Sequence, residues 1–436
     1  MSDPARWRTW AGDESCVPAV RRRPGSVTEV VDAVGRAAAA GQTLRVAGAG
    51  HSFTPAVLTD GTLLSLERMD RVLDVDTATG LVRTQAGISL NALSRALWGH
   101  GRALENLGDV DVQSIAGATA TGTHGTGARL PNLSAALESI ELVAGDGTVH
   151  ELGACDADGG TAWRAARVSV GALGVITAVT LRTVPAFVLR GLDAVEGREQ
   201  VLDELDARAA AHDHFELFAF PYCPRVITRT NDRTQADPRP RGRVGTYVRD
   251  ELLTNKGFEA ICRLGRARPS LIPRLNRAAT ALGGASAHTD RSYRVFATPR
   301  SVRFNELEYA IPREHAATAV RAVLSMIEER RVPISFPLEV RTVAPDDALL
   351  SPAGGRDTAY VAAHVFQGME WQPFLREVEA IMRAFDGRPH WGKRHFRTAA
   401  DLAPAYPGWD AFQAVRDRLD PGRRFTNPYV AQVLGA

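Results

Sequence analysis

The chain has 436 residues, which is enough for two domains with separate cores. Hydrophobic residues make up 44% of it, charged residues 23%, and the formal net charge is only +2, so electrostatics give no reason to expect nucleic acid or an anionic membrane as a partner. No apolar run approaches the ~18 residues that span a bilayer. The N-terminus lacks the apolar core of a secretion signal, and the four cysteines lack metal-binding spacing. We therefore expect a reduced, cytoplasmic chain with no integral membrane segment.

The first part of the chain alternates short strands with two capped helices. Ser26, with Glu29 three residues later, predicts a helix that ends before Gly41, and Ser89 predicts a second helix that ends near Gly99–Gly101. Segments rich in β-branched residues predict strands, and they lie at 42–47, 57–66, 135–143 and 174–182. This pattern predicts an α+β domain over residues 1–185, with a nucleotide between two sheets.

Two glycine-rich segments lie within this first part. Leu44 to Phe53 reads LRVAGAGHSF, and Ile115 to Ala128 reads IAGATATGTHGTGA. Consecutive small residues leave a row of backbone N–H groups facing one point, which is how loops hold phosphate oxygens. Pro55 follows His51 within four residues, whereas the Rossmann fingerprint needs a helix directly after its loop. The two segments therefore indicate a nucleotide-binding fold of another kind.

From about Val184 the pattern changes to strand–helix–strand units around one sheet. The polar, proline-bearing segment Arg229 to Gly245 is interpreted as an exposed excursion. Periodicity predicts helices at 196–212, 255–282, 314–329 and 372–385, and strands at 215–221, 304–311, 334–343 and 358–366. These units predict a second domain that covers the substrate.

Seven segments, in order along nearly the whole chain, carry a family resemblance. GAGHS, SIAGATATGTHGTGA and GALGVITAVTL resemble the FAD-binding (PCMH-type) domain of the vanillyl-alcohol oxidase group. FNELEYAIPRE, FPLEVRTVAPDD, PHWGKRHF and LDPGRRFTNPYV resemble the sugar-1,4-lactone oxidases and dehydrogenases, of the gulonolactone and arabinonolactone types, and the related alditol oxidases. The resemblance implies a two-domain α+β flavoprotein: an FAD-binding domain at 1–185, a substrate (cap) domain on an antiparallel sheet at 186–389, and a segment at 390–436 that returns to the FAD-binding domain.

The same resemblance implies a set of flavin contacts. His51 stands where the related enzymes join a histidine covalently to the 8α-methyl carbon of FAD. From the residues alone, a loop histidine bonded to the backbone is the simpler interpretation. The other implied contacts with the cofactor are Ala47, Gly48, Ala49, Gly50, Ser52, Ser114, Gly117, Thr121, Gly122, Thr123, His124, Ile176 and His390.

Three charged residues are the candidates for catalysis. Glu339 and Arg341 are two positions apart on a predicted strand, so both side chains project from one face while Val340 faces the core. By themselves they could form a surface ion pair. Lys393, one of only two lysines among 52 basic residues, could equally be a surface lysine. The resemblance places all three over the flavin, where Glu339 accepts from the carbinol O–H. Arg341 donates to the oxygen or balances the anionic reduced flavin, and Lys393 lowers the cost of the developing alkoxide.

Three further positions bear on the electron acceptor and the substrate. In the family the position of Gly108 gates oxygen, and a small residue there favours an oxidase. Asp109 and Phe366 correspond to substrate-binding positions, where alditol oxidases carry a serine and a threonine. The loss of two hydroxyl contacts favours a lactone ring over a linear polyol.

The sequence thus predicts FAD-dependent oxidation of a carbinol in an aldono-1,4-lactone or a similar polyhydroxylated compound, with O₂ or another compound as the electron acceptor. An alditol oxidase, or an oxidase that tailors a sugar-containing natural product, is the alternative within this class. A flavin-binding protein without turnover, or a reductase of the cell-wall precursor type, is the alternative outside it. The sequence predicts no metal and does not fix the oligomeric state.

Overall fold

The computed structural model of the chain describes residues 6–240, 242, 255–284, 286–298 and 300–436. Helices and sheets are interleaved along the sequence, and the predicted α+β class is confirmed. Two large apolar clusters form the interior. One joins the N-terminal part to the C-terminal segment, and the other lies between the largest sheet and its helices.

Two sheets and two short strand pairs build the N-terminal part. The smaller sheet is parallel, with strands in the order Val20–Arg22, Thr62–Ser65 and Leu44–Ala47. The larger sheet is antiparallel, in the order Val149–Gly153, Leu137–Val143, Val175–Arg182, Leu81–Gln85 and Val72–Asp76. The short pairs join Trp7–Arg8 to Ser15–Cys16 and Arg102–Ala103 to Val184–Pro185.

Both capped helices of this part are confirmed. The helix Val27–Ala39 begins after Ser26, whose hydroxyl accepts from the Glu29 N–H, and the helix Leu90–Gly99 begins after Ser89, whose hydroxyl accepts from the Ala92 N–H. The remaining helical elements are short: the α-helix Thr161–Arg167 and the 3-10 helices Pro55–Val57 and Leu133–Ala136. No α-helix follows the first glycine-rich segment directly, as predicted.

The second glycine-rich segment is not a continuous loop, and here the interpretation from sequence is wrong. Its first part forms the short helix Ile115–Ala120, because the Ser114 hydroxyl accepts from the Gly117 N–H and the alanines favour a helix. Only the second part, from Thr121 onward, is a loop.

The second part of the chain is built on one eight-stranded sheet. Every neighbouring pair in it is antiparallel, as expected for the cap domain. The strands lie in the order Ser286–Arg291, Val188–Gly197, Arg225–Thr234, His214–Ala219, Leu338–Val343, Thr358–Phe366, Phe304–Pro312 and Arg388–Pro389. Leu217, Val340, Val361 and Leu307 come from four adjacent strands and enter the same apolar cluster, so one face of the sheet is apolar.

Helices cover that apolar face and the edges of the sheet. The predicted helix at 196–212 is divided at Glu204, and the one at 255–282 is divided at Pro269, which cannot donate a helical hydrogen bond. The α-helices are Arg198–Asp203, Leu205–Ala211, Phe258–Ala267, Ile272–Leu282, Ser292–Phe296, Ala316–Arg330 and Gln372–Ala384, with 3-10 helices at Pro269–Leu271 and Arg313–His315.

The predicted excursion Arg229 to Gly245 is wrong over its first part. Residues up to Thr234 belong to the strand Arg225–Thr234, which is paired on both sides. Its polar side chains are satisfied across the sheet, as where Arg229 Nε lies 2.7 Å from Asp193 Oδ1. Position 241 and positions 243–245 lie outside the described residues.

The C-terminal segment packs on the N-terminal part. The Leu44 N–H donates to the Arg424 carbonyl at 2.8 Å, and Phe412 and Val430 enter the same apolar cluster as Leu44. Its helical elements are Ala399–Leu402, Ala403–Ala405, Trp409–Leu419 and Pro428–Leu434. Within the described residues no helix is both long and apolar enough to cross a membrane, and all four cysteines are free thiols.

Candidate active site

The two glycine-rich segments meet directly at Gly48 and Ser114. A Cβ at Gly48 would lie 2.7 Å from the Ser114 Oγ, which is closer than any side chain can approach. Ser114 is held in place because its hydroxyl caps the helix that follows. Glycine at position 48 therefore lets the two segments share one site.

The first segment offers a row of free donors, which fits a pyrophosphate. Among the described residues, the N–H groups of Ala49, Gly50, His51 and Ser52 have no acceptor. Gly50 adopts a φ of +71°, a conformation that favours glycine. Successive unpartnered N–H groups in such a turn form a concave anion site, so this donor set suits the phosphates of FAD.

Most of the remaining predicted flavin contacts lie at the ends or irregularities of their elements. Ala47 ends the strand that leads into the first segment, and Ile176 lies on the central strand of the antiparallel sheet at a bulge. Thr121 caps the end of the short helix, with its hydroxyl donating to the Gly117 carbonyl at 3.1 Å. Gly122 has a φ of +74° and turns the chain back, so that the buried Thr123 and His124 follow.

His51 lies against an aromatic wall and is neutral. Its ring stacks on Trp10 with 5.1 Å between centroids. Burial, together with the nearby positive charges of Lys393 and Arg303, lowers the pKa of His51 to about 4. At neutral pH the imidazole therefore keeps a free nitrogen lone pair, which is its nucleophilic form.

The face of the eight-stranded sheet opposite its apolar core carries charged side chains. Because successive residues of a strand alternate between faces, these side chains from four neighbouring strands share one side. We call this group the charged face, and it consists of Glu216, Glu306, Glu308, Glu339, Arg341 and His364.

Arg341 is the centre of one half of the charged face. Its guanidinium forms an ion pair with Glu339, a second with Glu216 at 2.8 Å, and a longer one with Asp109 at 3.6 Å. Burial raises the pKa of Glu339 to about 7, and the carboxylates of Asp109 and Glu216 add to this rise while Arg341 opposes it. Glu339 can therefore exchange a proton near neutral pH.

Lys393 occupies the other half, between two carboxylates. Its ammonium forms an ion pair with Glu306 and lies 4.0 Å from Glu308. Burial alone would lower the pKa of Lys393, but these two carboxylates raise it, so the side chain stays charged. It also lies 5.3 Å from the centroid of the Phe53 ring, two residues after His51.

His124, Glu308 and His390 form a buried cluster next to Lys393. His124 Nε2 lies 3.2 Å from Glu308 Oε1, and the His124 ring stacks on Tyr360. Burial lowers the pKa of His390 to about 3, and its Nδ1 accepts from the Gly392 N–H. The donor atoms of the three residues lie within 4.8 Å of one another and could hold a metal ion. However, Glu308 is already bonded to His124, and the Lys393 charge nearby opposes a cation.

Of the three positions predicted to affect oxygen access and substrate binding, Asp109 joins the charged network, Gly108 lies beside His124, and Phe366 lies in the apolar core. Asp109 lies beside Arg341 and is paired with Arg300 at 2.5 Å, so it joins the charged face. A Cβ at Gly108 would lie 3.0 Å from the His124 carbonyl oxygen, so little room exists there for a larger residue. Phe366 is buried in the apolar core beneath Arg266, and the ion pairs around Arg341 and Lys393 do not reach it.

Several residues of the site were not predicted from the sequence. Glu306 and Glu308 alternate in FNELEYA, so the reasoning applied to Glu339 and Arg341 could have placed them together on one face. Glu216 and Arg300 carry no comparable local signal. Trp10 gives none either, since its contact with His51 depends on the fold.

Comparison with known proteins identifies relatives over the whole chain. A family model described as D-arabinono-1,4-lactone oxidase matches residues 179–433, and one described as FAD binding domain matches residues 18–153. The second match includes both glycine-rich segments, and FAD is the cofactor of this domain.

Two curated relatives and one solved structure extend these matches. The chain is 49% identical to L-gulono-1,4-lactone dehydrogenase of Mycobacterium tuberculosis (strain H37Rv), over 98% of this chain and 99% of that protein. It is 33% identical to alditol oxidase of a Streptomyces species, over 98% of each. The crystal structure of cholesterol oxidase from B. sterolicum superposes with a TM-score of 0.86 at 18% identity, over 99% of this chain and 96% of that one, which shows a shared fold.

Proposed function

The chain belongs to the D-arabinono-1,4-lactone oxidase family, and we propose that it oxidises a secondary alcohol of an aldono-1,4-lactone with FAD as the oxidant. The observation that carries this proposal is the charged face. Glu339 and Arg341 from one strand and Lys393 from the distant C-terminal part lie in a buried charged network close to His51. A site of this kind suits the removal of a hydride and a proton from one alcohol.

We propose that the two glycine-rich segments hold the cofactor, with His51 as its covalent attachment point. The free N–H groups from Ala49 to Ser52 would bind the pyrophosphate, and His124 and His390 would lie against the flavin. The bound FAD supplies N5 as the hydride acceptor. The low pKa of His51 supports attachment, because a neutral imidazole can form a bond to carbon through its lone pair.

We propose that the three charged residues have different roles in the oxidation of the alcohol. Glu339 accepts the hydroxyl proton, since its pKa lies near neutrality and the ionised form is available. Arg341 and Lys393 stay protonated and stabilise negative charge that develops on the carbinol oxygen. The carboxylates of Glu216 and Glu306 fix these two cations in position.

A lactone is favoured over a linear polyol by two observations. The chain is more similar to the L-gulono-1,4-lactone dehydrogenase than to the alditol oxidase, at 49% against 33% identity. Asp109 is already paired with Arg300 and Arg341, so it offers the substrate no hydroxyl donor. The similarity to an alditol oxidase keeps polyol oxidation as the second candidate.

The electron acceptor is proposed to be O₂ or another compound. Gly108 supports O₂ as the acceptor, because in the family a small residue at this position favours an oxidase. The 49% identical relative is named a dehydrogenase, which supports a different acceptor.

The proposed division into domains is 1–185, 186–389 and 390–436. It is supported by the two apolar clusters. The first contains residues of the N-terminal part together with Trp391 and most of the apolar C-terminal residues, and the second contains residues 201–382. Five residues of the middle part also enter the first cluster, and they are Leu189, Val295, Phe296, Ala348 and Leu350.

Anaerobic reduction of the bound flavin tests the function. The FAD-loaded enzyme is mixed without oxygen with L-gulono-1,4-lactone, D-arabinono-1,4-lactone, xylitol or sorbitol, and the visible flavin absorbance is followed. We expect the lactones to bleach the flavin faster than the polyols, and subsequent admission of air reports whether O₂ accepts the electrons. Faster bleaching by xylitol or sorbitol would favour the alditol oxidase. If none of these alcohols bleaches the flavin, the result would instead support a flavin-binding protein without turnover.

A further inference from the structure

A second cavity opens beside the C-terminal segment. Its volume is about 240 Å³, slightly below the ~300 to 1,000 Å³ of sites for drug-sized ligands, so it suits a small metabolite. Its walls come from the segment after Phe53, the helix Gln372–Ala384, residues 394–396 and the helix Pro428–Leu434. None of the glycine-rich segments or charged-face residues lines it, so it is separate from the candidate active site.

The cavity is positively charged. Two of its nine lining residues are arginines, Arg376 and Arg394, and none carries a carboxylate. Glu14 does not line the cavity, and its Oε1 lies 2.5 Å from Arg394 Nη1, so it balances the Arg394 charge. Arg376 is exposed at the rim and forms no ion pair with any described residue. The net charge therefore comes from Arg376 and attracts an anion.

Aromatic rings lie against both arginines. The Arg376 guanidinium lies 3.9 Å from the centroid of Phe396, and that of Arg394 lies 4.5 Å from the centroid of Trp371. The two aromatic rings are themselves stacked, with 6.2 Å between centroids and planes 20° apart. Stacking fixes the planar guanidinium groups, and a fixed guanidinium loses less entropy when it binds a carboxylate or phosphate.

Two buried polar atoms in the lining lack hydrogen-bond partners. His395 is 8% exposed, its Nε2 lies 2.8 Å from the Tyr429 hydroxyl, and its Nδ1 has no partner. Arg394 Nη2 also makes no hydrogen bond, although Asp13 lies 3.7 Å away. Burial lowers the pKa of His395 to about 3, so the ring is neutral. Both atoms are closed off from solvent, so they add polar character beside the cavity but do not contact an occupant where they stand.

We propose that this cavity, the Arg376 cavity, is a second binding site for a small oxyanion, a carboxylate or phosphate group carried on a polar metabolite. Arg376 supplies the attracting charge, and Gln432 and Tyr429 supply polar groups in the lining. Arg394, which lines the cavity, directly follows Lys393 in the sequence. An occupant of the cavity would therefore contact the segment that carries a charged group of the active site.

Calorimetric titration of the FAD-loaded enzyme tests the proposal. The probes are inorganic phosphate and sodium gluconate, at constant ionic strength set with sodium chloride, and the flavin spectrum is recorded to detect any gluconate in the active site. We expect saturable binding of about one phosphate or gluconate per chain without change in the flavin spectrum. The probe that binds distinguishes phosphate from carboxylate chemistry.

Two variants and a matched control locate the binding. Arg376→Ala removes the exposed cation, and Gln432→Glu adds a carboxylate of the same shape, so each should weaken binding at least tenfold. Arg383→Ala is the control, because Arg383 is an exposed arginine on the same helix, two turns further on, and pairs with Asp401 instead. Absence of saturable binding to the unmodified enzyme, or binding by both variants as strong as that of the unmodified enzyme, would overturn the proposal.

Discussion

Glu216 and Arg341 lie directly opposite each other on neighbouring antiparallel strands, and their side chains form a buried ion pair of 2.8 Å. They are 125 residues apart in the sequence. The pairing turns the Arg341 guanidinium so that it also contacts Glu339. The position of one proposed catalytic cation is therefore fixed by the register of the sheet.

Glu216→Gln should slow the enzyme without loss of FAD. The amide cannot hold the guanidinium as strongly as the carboxylate, and a small displacement of a reacting group costs up to ~100-fold in rate. Steady-state kcat/KM with L-gulono-1,4-lactone measures this. Glu151→Gln is the control, because it breaks an arginine–carboxylate pair with Arg83 on the five-stranded sheet and should leave kcat/KM unchanged. An unchanged kcat/KM in Glu216→Gln would show that the pair does not position Arg341.

Lys393→Met should destabilise the protein as well as inactivate it. Glu306 and Glu308 would keep buried negative charges without their cation, and breaking a buried pair costs about 3–5 kcal/mol. Urea unfolding of the FAD-loaded proteins measures the change. Adding Glu306→Gln removes one of the uncompensated charges, so the double variant should recover stability but not activity. A single variant as stable as the unmodified enzyme would contradict the role of Lys393 between these carboxylates.

Gly48→Ala should reduce the FAD content of the purified protein. The new methyl group would lie 2.7 Å from the Ser114 Oγ and would force apart the two segments that form the cofactor site. Gly35→Ala is the matched control, because a Cβ there meets nothing within 4 Å in the middle of a helix and should stabilise by up to ~1 kcal/mol. FAD absorbance per chain gives the result, and equal FAD content in both variants would argue against the close junction.

His51→Ala should release the flavin from the denatured protein. After precipitation with trichloroacetic acid, the unmodified enzyme should give a yellow pellet, because a covalent bond survives unfolding. The variant should leave the flavin in the supernatant, while His100→Ala, a change at an exposed loop histidine, should behave like the unmodified enzyme. Flavin in the supernatant of the unmodified enzyme would exclude the covalent bond.

Local patterns predicted much of the fold. Strand alternation placed Glu339 and Arg341 on one face and Val340 in the core, and the Ser26 and Ser89 caps located two helices. These features depend only on neighbours in the sequence.

The errors arise where contacts between residues far apart in the sequence determine the local structure. Arg229 reads as part of a polar loop, but Asp193 and Glu216 on neighbouring strands satisfy its charge, so its segment pairs into the sheet. The carboxylate of Glu216 beside Arg341, and those of Glu306 and Glu308 beside Lys393, were missed for the same reason, because strand order determines which charges meet. Predicting them requires the topology of the sheet.

The most direct test of the charged face is the pH dependence of anaerobic flavin reduction by L-gulono-1,4-lactone, measured by rapid mixing in the unmodified enzyme and in Glu339→Gln. The Glu339 pKa is raised to about 7, so below this pH the carboxyl is protonated and cannot accept the hydroxyl proton. The rate in the unmodified enzyme should therefore rise with pH through about 7 and level off above it. In the variant, with its flavin content unchanged, the rate should be lower by at least ~100-fold, within the range of a lost general base, and should not show that rise. Equal rates and equal pH profiles in the two proteins would contradict a role of the charged face in the reaction.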